Sequence, residues 1–106
     1  VSSNKLLTDV KNLITDALPS GIPSVAEIAS ILGMSARTFT RRLSKHEVTF
    51  RDLIQQKQEE RAKFLLLQSN SSFAEIAFEI GFSEQSAFNR AFKRWTGKTP
   101  IEYRKS

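Results

Sequence analysis

A twelve-residue segment occurs twice in this chain, first at residues 24–35 (SVAEIASILGMS) and again at residues 72–83 (SFAEIAFEIGFS). Seven of the twelve positions are identical, and a stretch rich in basic residues follows each copy. Each copy begins with Ser-x-x-Glu, a capping box that starts a helix, and has a Gly near its end, where a tight turn needs a residue that tolerates positive φ. Each copy, with the basic stretch after it, therefore predicts a helix, a turn and a second helix.

Length and composition exclude several classes of protein. At 106 residues and 12.0 kDa the chain can form one compact unit or two small lobes. It contains no Cys and one His, His46, so a disulfide framework and a Cys/His zinc site are excluded, and we expect no metal or other cofactor. His46 has no partners that would complete a catalytic set, so we expect no enzyme. No apolar run approaches the roughly 18 residues of a membrane span, so we expect no membrane partner and a cytoplasmic location.

Helix signals also surround the two modules. Apolar residues with a 3.6-residue period run from Leu6 to Leu18, where a Pro-rich loop stops the first helix. Thr49-x-x-Asp52 starts a long helix that we expect to reach about Gln68, with an entirely polar, exposed centre at residues 55–61. The sequence TPIE at residues 99–102 starts a short last helix.

These signals predict an all-α fold of about seven helices, and no segment shows the alternation of a strand. We expect one helix-turn-helix subdomain at about residues 4–48 and a second at about residues 70–105. A linker helix at about residues 49–68 joins them. Ser35 and Ser83 are expected to N-cap the second helix of their modules.

The positive charge is concentrated at equivalent places in the two modules. The formal net charge is +5, and residues 36–46 and 85–101 each contain several basic residues and no acidic one. This distribution favours a polyanionic partner such as nucleic acid. Duplicated helix-turn-helix modules with basic second helices predict binding to double-stranded DNA through two reading helices.

The second helix of each module divides into an apolar face and a polar face. Phe88, Phe92 and Trp95 recur at i, i+4 and i+7, which is typical of a core face rather than of aromatic platforms for single-stranded bases. The opposite faces carry Arg, Asn, Gln and Thr, the side-chain types that match base edges. The expected base-reading residues are Arg37, Thr40 and Arg41 in the first module and Gln85, Ser86, Asn89 and Arg90 in the second.

A second set of residues is better placed for phosphates, which position a protein on DNA without reading sequence. Its basic members lie at the flanks or far ends of the two helices, and its Ser members stand at helix N-termini, where backbone N–H groups also attract anions. The expected phosphate-contacting residues are Ser35, Arg42, Lys45, Ser83, Lys93, Arg94 and Lys98.

The C-terminal half of the chain resembles a known family signature. Residues 77–83 read AxxxGFS, and residues 88–104 read FxRxFKRWxGxTPxxYR. These motifs closely resemble those of the AraC/XylS family, and the resemblance extends over about residues 5–105. It implies a bacterial transcription regulator, most often an activator that contacts RNA polymerase, with two recognition helices in successive major-groove segments of a promoter. By position, the resemblance assigns base reading to the same seven residues.

The resemblance also bears on the full-length protein. Most members carry an effector-binding or dimerisation domain before this one, so it implies a monomeric isolated domain and a full-length protein that can dimerise through the further domain. Met34 departs from the family pattern, since an aromatic residue usually follows the first Gly. This exchange should leave the fold unchanged because Met fills irregular space readily.

Two alternative functions remain open at this stage. The chain could be a helical module that docks on RNA polymerase or another protein, or an architectural DNA binder that ignores sequence. Salt separates the first alternative from DNA binding, because neutralising phosphates makes affinity fall steeply with salt whereas apolar docking responds little. Against the second alternative, the outward faces hold Gln, Asn and Thr beside the basic residues, and no apolar wedge is evident.

Overall fold

The computed structural model describes residues 2–105, with side chains from Lys5 to Lys105. Within this part of the chain there are seven α-helices and no strand, which confirms the predicted all-α fold. A short 3-10 turn at Leu18–Ser20 follows the first helix. The helices are α1 (Ser2–Ala17), α2 (Val25–Ile31), α3 (Ala36–Ser44), α4 (Phe50–Gln68), α5 (Phe73–Glu79), α6 (Gln85–Thr96) and α7 (Pro100–Lys105).

The predicted capping boxes form at the starts of α2, α4 and α5. Ser24 Oγ accepts a hydrogen bond from the Glu27 backbone N–H at 3.1 Å, and Glu27 Oε1 accepts one from the Ser24 N–H at 3.2 Å. The same reciprocal pair of bonds joins residues 49 and 52 and residues 72 and 75. Each box satisfies two N–H groups that have no partner inside the helix, and so fixes the residue at which the helix begins.

Two separate apolar cores lie at opposite ends of α4. The first is formed by α1, α2, α3 and the start of α4, and it includes the buried Ile28 and Phe39. The second is formed by the end of α4 with α5 and α6, and it includes the buried Ile76 and Phe88. The molecule is accordingly elongated, with extents of 42 × 23 × 21 Å. Two helix-turn-helix subdomains, α2–α3 and α5–α6, are thus joined by one long helix, as predicted.

The expectation that the centre of α4 is exposed is wrong at Gln58. This side chain is 4% exposed, and its Nε2 donates a hydrogen bond of 2.9 Å to the carbonyl oxygen of Ile80, at the end of α5. Carbonyls at a helix C-terminus have no partner inside the helix, and a long polar side chain on the facing helix supplies one. The polar run therefore contains one residue that ties the linker helix to the second subdomain.

The two subdomains also contact each other directly. Gly81, in the second helix-turn-helix turn, packs so closely on the first subdomain that an added Cβ would lie 3.0 Å from Ile22 Cγ1. Gly81 has a φ of +94°, and Gly33, its counterpart in the first module, has a φ of +75°. Both turns therefore need Gly for the backbone, but only Gly81 is also needed for close packing.

Candidate nucleic-acid interface

Helix α3 is fixed at its start and along its inner face. Ser35 N-caps it as predicted, and its Oγ accepts a hydrogen bond from the Thr38 N–H at 3.1 Å. Phe39 and Leu43 are buried in the first core, and the Phe39 ring packs edge-on against Phe50 at 5.8 Å between centroids. With these residues inside, the rest of the helix faces outward. The predicted base-reading residues of α3 are all exposed: Arg37, Thr40 and Arg41.

Helix α6 begins one residue later than predicted. Its N-cap is Glu84 rather than Ser83, and no side chain caps its first N–H groups. The second turn is therefore one residue longer than the first. Phe82, the residue before Ser83, packs on Phe88 and Trp95 with ring centroids 6.1 Å apart in both pairs. We attribute the later start to this aromatic packing, which competes with the local preference of Ser for the N-cap.

The longer turn brings the two second helices into the same register. Counted from the N-cap, the fully buried Phe39 of α3 corresponds to the fully buried Phe88 of α6. Arg41 and Arg90, each two residues further on, then occupy equivalent exposed positions. Alignment of the two sequence repeats by their serines misses this equivalence by one residue.

The remaining predicted base-reading residues lie on the outer face of α6. Gln85 and Ser86 are exposed in its first turn, and Asn89 is half-buried beside the exposed Arg90. On the inner face, Phe88 and Phe92 are buried and Phe92 also packs edge-on against Tyr103 of α7 at 5.2 Å between centroids. Phe88 and Phe92 thus form core, as the sequence predicts, and the partly buried Trp95 packs against them.

The predicted phosphate-contacting residues are exposed side chains around α3 and α6. None of their basic members has an ion-pair partner among the residues that the structure describes, whose ion pairs lie on α4 and α5. Positive charge on these two helices is therefore available to a polyanion. The exposed members are Ser35, Arg42, Lys45, Ser83, Lys93, Arg94 and Lys98.

Two of these charges also act on the last helix. The pKa of Glu102 is lowered, chiefly by the hydrogen bonds that its carboxylate accepts from the backbone N–H and the hydroxyl of Thr99, and further by the positive charges of Lys93 and Lys98. Glu102 thus lies within the electrostatic reach of the basic end of α6. The Glu102 carboxylate therefore offsets part of the positive charge of these two lysines.

Two predicted site residues also line a cleft between the subdomains, which the sequence did not indicate. Thr40 of α3 and Arg94 of α6 lie on its walls, together with Arg51 and Gln58 of α4. The cleft forms because of the way the two subdomains pack together. Sequence patterns within single helices do not indicate this packing. Gln58 was equally hidden, because nothing in a run of polar residues distinguishes the one that faces a neighbouring helix.

The described residues hold no group of three or more His, Cys, Asp or Glu side chains that could bind a metal ion. Among the same residues, no helix combines the length and the apolar character needed to cross a membrane.

Two helix-turn-helix units on one bridging helix, each presenting a basic second helix, define a bipartite helix-turn-helix DNA-binding domain. Residues 28–106 match the family model described as a helix-turn-helix domain. The chain belongs to the AraC-type helix-turn-helix family of transcription regulators. This family is a class of DNA-binding proteins and not of enzymes.

Relatives with curated names agree with this assignment. The chain is 38% identical over 94 residues to the HTH-type transcriptional regulator VqsM of Pseudomonas aeruginosa, covering 89% of this chain and 29% of that protein. It is 40% identical over 95 residues to the HTH-type transcriptional regulator VirS of Mycobacterium tuberculosis, covering 90% of this chain and 28% of that protein. The chain therefore spans less than a third of the length of these relatives.

Solved structures show the same fold. A DNA-binding transcriptional dual regulator from Escherichia coli K-12 superimposes with a TM-score of 0.87 at 27% identity, covering 94% of this chain and 89% of that one. The DNA-binding domain of AdpA, solved in complex with a target DNA, gives a TM-score of 0.77 at 31% identity, covering 92% of this chain and 88% of that one.

Proposed function

We propose that this domain recognises an asymmetric site in double-stranded promoter DNA by inserting α3 and α6 into successive major-groove segments. The observation that carries the proposal is the equivalence of Arg41 and Arg90, each exposed two residues after the buried Phe that anchors its helix. The two helices are held alike but carry different polar residues. Two such readers recognise two different short sequences, so the site need not be a palindrome.

The length of α4 supports simultaneous insertion of both helices. At about 1.5 Å per residue its 19 residues span about 28 Å. One turn of DNA is about 34 Å, the distance at which a second reading helix meets the same face of the duplex. The similar fold of the AdpA domain that was solved with its target DNA further supports this mode of binding.

We assign separate roles to the two sets of exposed residues. Arg37, Thr40 and Arg41 on α3, with Gln85, Ser86, Asn89 and Arg90 on α6, read base edges, where Arg pairs with guanine and Asn or Gln with adenine through two hydrogen bonds. The phosphate set of Ser35, Arg42, Lys45, Ser83, Lys93, Arg94 and Lys98 positions the helices. Loss of a phosphate contact weakens binding to every sequence, whereas loss of a base contact changes which sequence is preferred.

The wider role follows from the family. We propose that the full-length protein is a bacterial, cytoplasmic regulator, an activator that contacts RNA polymerase and dimerises through a further domain. The names of the relatives VqsM and VirS support transcription regulation.

One observation favours a docking function as a second candidate. Phe64 and Leu67 on α4 and Phe78 on α5 are 54%, 52% and 55% exposed. A contiguous apolar patch is typical of a surface that binds another protein, so the docking function requires these three side chains to act as one patch. A docking module would bind a partner such as RNA polymerase with little salt dependence and without DNA.

Selection of bound duplexes from a randomised pool tests the main proposal. We expect a motif with two short blocks about one helical turn apart, and a binding constant that falls steeply with salt because several phosphates are neutralised. Anisotropy titrations of the selected duplex and a scrambled duplex give the specificity. Enrichment of a single block would contradict simultaneous reading by both helices. Weak binding without enrichment would contradict sequence recognition and favour the docking function.

A further inference from the structure

A cleft of about 610 Å³ separates the two subdomains. We refer to it as the interdomain cleft. Its volume lies within the range of about 300–1,000 Å³ typical of sites for small molecules. One wall comes from the first subdomain and the start of α4, and the other comes from the second turn and α6. Its apolar lining includes Val25, Leu43, Phe50, Ile54, Phe82 and Trp95.

The polar groups of the interdomain cleft favour a negatively charged ligand. Arg51 and Arg94 both line it, and no Asp or Glu does. Neither Arg has an ion-pair partner among the described residues. Apolar walls with two uncompensated guanidinium groups match a molecule with an apolar body and an acidic group, because Arg binds a carboxylate through two parallel hydrogen bonds.

Trp95 supplies a second, independent indication. Trp95 lines the cleft, and its Nε1 is a buried nitrogen without a hydrogen-bond partner, the only side-chain nitrogen or oxygen of this kind in the part of the chain that the structure describes. A buried donor without an acceptor is costly and rare in folded proteins. Because neighbouring atoms cover this N–H, an acceptor oxygen reaches it only when they move aside, and it then forms a hydrogen bond without breaking an existing one.

We propose that the interdomain cleft binds a small organic acid with an aromatic or branched apolar body. The body packs between Phe50, Phe82 and Trp95, and the carboxylate pairs with Arg94 and Arg51. Because Arg94 belongs to the phosphate set and Thr40 of the cleft wall belongs to the base-reading set, an acid bound here competes with DNA for Arg94. Occupancy of the cleft therefore lowers DNA affinity, a consequence that rests on the proposed function.

The binding step can be measured without DNA. Trp95 is the single Trp of the chain, so one indole N–H resonance in a ¹⁵N–¹H spectrum reports on the cleft. As a probe we would titrate 4-phenylbutyrate, with the uncharged 4-phenylbutyramide as the matched control. We expect a saturable shift of the indole resonance with the acid and a much weaker response to the amide. Absence of a saturable shift up to millimolar acid, or equal binding of the amide, would overturn the proposal.

Charge variants locate the acidic group. We expect Arg94→Gln to weaken binding of 4-phenylbutyrate about tenfold, as loss of a charge-assisted hydrogen bond does, and Arg51→Gln to weaken it less. Both side chains are exposed, so neither change should unfold the domain. Lys93→Gln is the control, because Lys93 is the neighbour of Arg94 on α6 but does not line the cleft. Equal losses in the Arg94 and Lys93 variants would indicate general attraction to positive charge and overturn the assigned site.

The coupling to DNA is tested last. Saturating 4-phenylbutyrate should weaken binding of the unaltered domain to a duplex and leave the Arg94→Gln variant unaffected. If the domain bound no duplex under any condition, the proposed function would fail while the indole titration still decided whether the cleft binds acids. A normal indole titration with unchanged DNA affinity would overturn the competition.

Discussion

At the scale of single residues, Arg104 attaches the last helix, α7, to the end of α4. Its Nε donates a hydrogen bond of 2.9 Å to the Leu66 carbonyl, and its Nη2 donates bonds of 3.3 Å to the carbonyls of Leu65 and Ser69. The guanidinium also lies over the Phe73 ring, 5.0 Å from its centroid. One planar cation thus bonds three carbonyls at the end of α4, where the helix dipole is negative. Of these, the Leu65 carbonyl also accepts a hydrogen bond from the Ser69 N–H.

We therefore expect Arg104→Lys to destabilise the domain by about 1–3 kcal/mol, because an ammonium group cannot reproduce the fork of several N–H donors. The midpoint of urea unfolding measures this loss. Lys105→Ala is the matched control at the next position, where the side chain is exposed and should contribute little. Equal stability of Arg104→Lys and the unaltered domain would show that the fork contributes nothing beyond its charge.

The capping carboxylate Glu75 gives a prediction about pH. Its pKa is lowered from the usual 4.5, first by the hydrogen bond from the Ser72 backbone N–H and then by the bond with the Ser72 hydroxyl. Because the folded state binds this proton less readily than the unfolded state, the stabilisation is present above about pH 4.5 and is lost as pH falls through the lower folded pKa.

Removal of the hydroxyl should reverse part of this effect. We expect Ser72→Ala to raise the pKa of Glu75 towards 4.5. Titration of the side-chain carboxyl, monitored by ¹³C NMR, measures this change. Glu102, whose pKa is lowered by Thr99 in the same way, is an internal control and should titrate unchanged. If the pKa of Glu75 were the same in Ser72→Ala as in the unaltered domain, the Ser72 hydroxyl would not be a cause of the lowered pKa.

At the scale of elements, the sequence predicted the helices and most of their caps because these depend on local signals. Ser24, Thr49 and Ser72 act on N–H groups three residues away, and the folded chain keeps those bonds. The start of α6 was predicted one residue too early because the packing of Phe82 on Phe88 and Trp95 is not local. The burial of Gln58 was missed for the same reason, since it is decided by a residue 22 positions away.

The candidate interface shows the same division between local and tertiary information. The inner and outer faces of α3 and α6 follow from helical periodicity, and the structure has Phe39 and Phe88 buried and Arg41 and Arg90 exposed. The interdomain cleft depends on how the two subdomains meet, which no periodicity encodes. The contacts of the individual side chains with bases and phosphates stay predictions.

The turn glycines offer a matched test of how the subdomains meet. Gly33→Ala and Gly81→Ala both force a Cβ onto a left-handed backbone, at a cost of about 1–2 kcal/mol. Only the Ala at position 81 would also meet Ile22, at 3.0 Å from Cγ1, whereas position 33 has open space. We expect the larger loss of unfolding free energy in Gly81→Ala.

A double variant separates the two causes. Ile22→Ala removes the atom that the new Cβ would meet, so it should recover part of the loss caused by Gly81→Ala but none of that caused by Gly33→Ala. Unfolding in urea of the four combinations measures the coupling. Equal losses for both glycines, with no recovery, would indicate that the subdomains do not pack tightly at this contact.

At the scale of the whole molecule, two apolar cores lie on one long helix, and the proposed function assigns one DNA-reading helix to each core. Each core fixes the orientation of its own recognition helix, and α4 sets the distance between them. Gln58 and the Gly81 contact with Ile22 limit their relative rotation. We therefore expect the proposed site to be read in two blocks at a fixed spacing, so that an insertion of a few base pairs between the blocks turns the second away from its helix.

Substitutions in α3 and in α6 should act on separate blocks of the selected site. We expect Arg41→Ala and Arg90→Ala each to cost about 1–3 kcal/mol on the selected duplex and to relax the preference at one base pair, each in a different block. Lys93→Ala, on the same helix as Arg90, should instead weaken every duplex alike and flatten the log-log salt slope by about one, since it removes one phosphate contact. Anisotropy titrations of the selected, block-mutated and scrambled duplexes across a salt series distinguish the two patterns. If the Arg90 and Lys93 variants lost affinity equally on all duplexes, α6 would be an electrostatic anchor, and the specificity would belong to α3 alone.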